Sequence, residues 1–67
     1  MKQYKYVEMT HKFLGGYVSK KYDNASPREV IDMFAENGWR FVSMVPKLSD
    51  GYGRITTYDL VFEKDAD

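Results

Sequence analysis

The sequence predicts an α+β fold of β-α-β-β order, a three-stranded, mainly antiparallel sheet with one helix packed on one face. Three observations predict it. A capping signature at Ser26 opens one short amphipathic helix, aromatic and β-branched segments flank that helix, and an Asp-Gly pair separates the last two such segments. The 67 residues make a single domain, residues 1–67. At this size a hydrophobic core supplies only about 3–5 kcal/mol of net stability. With no cysteine and His11 as the only imidazole, neither disulfides nor a structural zinc site can add to it. Self-association is the remaining means of support.

The first strand is expected over about residues 2–10, where Tyr4, Tyr6, Val7, Met9 and Thr10 favour extended backbone. Residues 11–25 show no sustained period and read as a long loop, although Gly15-Gly16 offers a hairpin that would fold Tyr17-Val18-Ser19 back beside the first strand. In Ser26-Pro27-Arg28-Glu29, Ser26 can cap free N–H groups while Glu29 reaches back to the Ser26 N–H. Pro27 stands at the first helical position, where its missing N–H costs nothing. Val30, Ile31 and Phe34 then form an apolar stripe, opposite Arg28, Glu29, Asp32 and Glu36, and Asn37-Gly38 ends a helix of about residues 27–37. A second strand follows over about residues 39–45 and is expected to close at Pro46. Residues 46–53, with Asp50-Gly51 and Gly53, form a turn into a third strand over about 54–63, and residues 64–67 are an acidic tail. The third strand, apolar on both faces, is placed in the middle of the sheet.

Strict alternation puts Trp39, Phe41 and Val45 on one face of the second strand and Val42 and Met44 on the other. In the third strand Ile55 and Val61 oppose Tyr58, Leu60 and Phe62. One helix covers one face. The other calls for Phe13, Leu14, Tyr17, Val18 and Tyr22 of the 11–25 loop, or for a second subunit. A homodimer or higher oligomer burying sheet-face aromatics is the expectation.

The order of landmarks is that of a known family. A Tyr-rich first strand, Phe13-Leu14-Gly15-Gly16, a short helix, Gly38-Trp39-Arg40-Phe41-Val42-Ser43-Met44-Val45-Pro46 and Thr57-Tyr58-Asp59-Leu60-Val61-Phe62 together resemble the small bacterial and phage proteins of the domain of unknown function 4177 family. The segment Tyr17 to Ala25 is longer than the family pattern, and the spacing within the first strand differs. The resemblance implies a compact β-α-β-β domain of bacterial or phage origin and carries no functional residues with it.

No catalytic, cofactor or metal-binding residue is assigned. There is no Gly-x-Ser-x-Gly elbow to accompany His11, Glu29 is needed by the cap, and Asp50-Gly51-Tyr52-Gly53 leads into a strand where a phosphate loop leads into a helix. Met9, Met33 and Met44 read as core filling. No apolar run has the length of a membrane span, and the polar start lacks a signal-peptide core, so the expected compartment is the cytoplasm. The net charge is zero, yet residues 1–22 carry five lysines against Glu8 alone, interleaved with tyrosines.

These features favour a non-enzymatic protein-interaction or regulatory module that binds itself or another protein, with Tyr17, Tyr22 and Trp39 as contacts. The alternative is a single-stranded nucleic-acid-binding protein in which tyrosines stack on bases and Lys20 and Lys21 meet phosphates.

Overall fold

The structure, a computed structural model, describes residues 1–12 and 16–66. Four strands, β1 (Lys2–Lys12), β2 (Gly16–Val18), β3 (Arg40–Ser49) and β4 (Ile55–Asp65), form one sheet in the order β2-β1-β4-β3. All pairings are antiparallel. The helix α1 (Pro27–Glu36) connects the β1-β2 hairpin to the β3-β4 hairpin. As its two apolar faces predict, the last strand lies between the first strand and β3.

The expected three strands are four, because residues 16–18, expected within a loop, form a strand. β1 runs on to Lys12, and β2, opening at Gly16 with φ 81°, pairs Gly16, Tyr17 and Val18 with Lys12, His11 and Thr10. The remainder closes on itself. A single 3-10 turn over Lys20–Tyr22, with Asp23 and Asn24 at positive φ, brings Ala25 back to accept a 2.8 Å hydrogen bond from the Ser19 N–H. Phe13, Leu14 and Gly15, which were expected to help cover the sheet or turn the hairpin, lie outside the described residues.

The helix begins as its capping box dictates. Ser26 Oγ accepts from the Glu29 N–H at 3.2 Å, and the Ser26 N–H donates to the Glu29 carboxylate at 3.0 Å. Its end is a Schellman motif: Gly38, at φ 85°, donates to the Ala35 carbonyl at 3.1 Å and Trp39 to the Phe34 carbonyl at 2.9 Å.

β3 does not close at Pro46 but continues to Ser49, shortening the expected 46–53 turn. An edge strand tolerates a residue without an N–H, since half of its donors face away from the ladder. The turn is organised by Asp50, whose carboxylate accepts from the Tyr52 and Arg54 N–H groups at 2.8 and 3.0 Å. These bonds and the Arg54 side chain hold the Asp50 carboxyl below its usual range.

Directly opposed residues of an antiparallel pair share a face. Val7 and Met9 of β1 stand opposite Leu60 and Tyr58 of β4, and with Phe62, Val30 and Phe34 they form the buried core between sheet and helix. Phe34 stacks on Phe62 with centroids 4.4 Å apart. The alternation expected in the second strand fails at a bulge: Phe41 faces Phe62, but Ser43 faces Val61 and Met44 faces Leu60. The extra residue reverses the parity. Phe41 and Met44 therefore share the helix side, while Val45 lies on the other.

Candidate interaction surface

The helix is shorter than the long strands and lies over only part of the sheet. Eleven extended residues span about 36 Å, close to the molecule's longest dimension of 43 Å. Ten helical residues span only about 15 Å. The helix covers β1 and β4 over the core and leaves most of β3 bare.

All ten residues of β3 are exposed, among them Phe41 at 40%, Val42 at 47%, Met44 at 42%, Val45 at 47% and Leu48 at 63%. The free edge is interrupted. Pro46 offers no N–H, and the register shifts between Phe41 and Ser43 and again between Pro46 and Leu48. Such features oppose ladder extension by another strand, so what β3 presents is apolar side chains on two faces.

The face away from the helix is not uniformly apolar. Lys47 bonds the Glu8 carboxylate at 2.7 Å and lies 3.9 Å from Asp59, tying β3 to β1 and β4. Arg40 pairs with Glu63 across β3 and β4, and Lys2 with Asp65 at 2.7 Å across β1 and β4. Hydrogen bonding to Glu63 raises the Arg40 pKa, bonding to Glu8 raises that of Lys47, and bonding to Lys2 lowers that of Asp65. Between these pairs Tyr4 and Tyr6 remain 52% and 64% exposed. The 16–25 segment does not cover this side with its tyrosines.

Those rings turn to the helix side. Tyr17 packs edge-on against Tyr58 at 4.7 Å and donates its hydroxyl to the Ile55 carbonyl. Burial, with Tyr17 nearby, pushes the Tyr58 hydroxyl pKa up. Tyr22 lies 5.7 Å from Phe34, and Trp39 6.3 Å from the same ring. Tyr17, Tyr22 and Trp39 are thus half-buried partners of the core, and the open apolar surface is on β3. Its sequence signal was the lack of a polar face in residues 41–48.

Lys20 and Lys21 are exposed on the 3-10 turn and line a depression of about 380 Å³ with Tyr6, Glu8 and Thr10. His11 is exposed and meets Tyr17 edge-on at 5.3 Å. Among the described residues no group of three or more His, Cys, Asp or Glu is placed to hold a metal ion, and no helix is long and apolar enough to cross a membrane.

The model of the family described as a domain of unknown function, DUF4177, matches residues 2–65. The chain belongs to this family. The match runs from the start of β1 to the end of β4, so the β3-β4 hairpin and the capped helix both lie inside the family domain. No curated protein and no solved structure matches the chain.

Proposed function

We propose that this DUF4177 protein is a non-enzymatic interaction or regulatory module that acts by associating with itself or with a further protein. The observation that carries this reading is β3, a ten-residue strand whose apolar side chains are exposed on both faces. Apolar patches of this kind mark association surfaces in folded proteins. A standard interface buries about 800 Å² per partner, roughly one-sixth of the 5051 Å² surface of this chain. On the face away from the helix Val45, with Tyr4 and Tyr6, provides an apolar centre and Arg40 and Lys47 with their carboxylates a polar rim, while Phe41 and Met44 are exposed on the helix side of the same edge. Pro46 and the bulges favour packing of side chains over an added strand. A cysteine-free chain is suited to a reducing cytoplasm. Light scattering coupled to gel filtration at micromolar concentration tests the reading; a mass of one chain would refute it.

One arrangement favours nucleic-acid binding as the second reading: exposed Tyr6 beside Lys20 and Lys21. Half of the tyrosines first considered for stacking, Tyr17 and Tyr22, are engaged within the fold, which leaves Tyr4 and Tyr6. Anisotropy of a labelled single strand at low salt decides it, with affinity expected to fall steeply as salt rises.

A further inference from the structure

At the C-terminal end of α1 three elements bring their rings together. Tyr22 from the 3-10 turn, Phe34 from the helix and Trp39 from the start of the β3 hairpin line a cleft of about 340 Å³, with Met33 and Asn37. Lys5 of β1 and Lys64 of β4 complete its wall. The Lys5 ammonium lies 5.4 Å and the Lys64 ammonium 5.5 Å from the centre of the Trp39 ring.

The charge around this cleft is uneven. Elsewhere on the sheet Lys2, Arg40 and Lys47 each meet a carboxylate, whereas Lys5 and Lys64 form no ion pair among the described residues. Among the described residues no carboxylate lines the cleft. Lys64 donates one proton to the Asn37 carbonyl at 3.2 Å, satisfying the helix end and keeping two donors free. Lys5 keeps all three. Two ammonium groups over an aromatic floor supply the chemistry that holds a phosphate beside a stacked ring. The volume falls within the range of small-molecule sites, about 300–1,000 Å³.

We propose that this cleft binds a small phosphate ester carrying a planar ring, with the ring against Trp39 and Tyr22 and the phosphate between Lys5 and Lys64. The site is separate from the β3 surface and does not rest on self-association. Trp39 is the only tryptophan, so its fluorescence reports on the cleft alone.

The test is a titration of Trp39 emission with adenosine 5′-monophosphate, adenosine and inorganic phosphate in parallel. The expected result is a saturable change with the nucleotide, weaker by about tenfold with either half alone. Lys5→Gln should weaken it at unchanged thermal midpoint and Lys64→Gln should weaken it as well, with Lys5→Arg and Lys64→Arg restoring it. No saturable response up to about 10 mM nucleotide, or a response indifferent to both lysine changes, would overturn the proposal. Tighter binding of a single-stranded oligonucleotide than of the mononucleotide would overturn it in favour of strand binding.

Discussion

β3 and β4 are partners in one hairpin, similar in length and in apolar content, and they meet different fates. β4 lies between two strands and beneath the helix, so Tyr58, Leu60 and Phe62 are buried under the helix, and Val61 is buried on the other face between its two neighbouring strands. β3 lies at the edge, beyond most of the helix, and none of its residues is buried. The difference is one of position, not of composition. The β3 side chains still pack in part within the chain, Phe41 meeting Phe62 edge-on at 5.9 Å, but a large share of their apolar surface stays in water.

The sharpest way to break this comparison is to truncate two phenylalanines that face each other. Phe62→Ala removes a ring that is fully buried against Phe34 and should cost about 3–5 kcal/mol, enough to unfold so small a domain. Phe41→Ala, on the exposed strand, should cost far less. Urea unfolding of both variants, at a concentration low enough to keep the chains apart, reads the difference; equal losses would mean that β3 is as structural as β4.

Smaller effects come from the ends of the helix that covers β4. Gly38→Ala forces a Cβ onto a residue at φ 85° and should destabilise by about 1–2 kcal/mol. Ser26→Ala removes the cap and should cost about 0.5–2 kcal/mol, while an unchanged urea midpoint would remove the cap assignment. Both changes loosen the cover over β4 and leave the β3 side chains in place.

The smallest expected effect is electrostatic. Hydrogen bonds from the Ser26 backbone and side chain hold the Glu29 carboxyl below its ordinary value of 4.5. A depressed carboxyl contributes stability that is complete above the unfolded pKa and lost as pH falls through the folded one. Stability should therefore decline on acidification below that ordinary value, and Glu29→Gln should flatten the decline. Thermal midpoints across the acid range measure it, and identical profiles for the two proteins would contradict it.

The parts of the fold written in local chemistry were legible. Ser26, Pro27, Glu29 and Gly38 specify a helix through contacts only a few residues long, and Tyr58, Leu60 and Phe62 declare a strand with a buried side. What escaped was set by long-range pairing. Nothing in residues 11–25 fixed the pairing of Tyr17 and Val18 with β1, and no single residue announced the bulge that puts Phe41 and Met44 on one face. The candidate surface was half legible: the apolar residues on both faces of β3 were visible, but their exposure depended on the place of β3 at the edge of the sheet. Tyr17, Tyr22 and Trp39 were legible as large aromatics, and the fold places them half-buried against the core.

Light scattering with gel filtration on the wild type and on Leu48→Lys, which places a charge on the most exposed β3 side chain of the apolar set, tests the central claim most directly. The account predicts a wild-type mass of at least two chains of 7.9 kDa and a shift toward one chain in the variant, with its thermal unfolding at high dilution unchanged. A wild type that elutes at the mass of a single chain would contradict it.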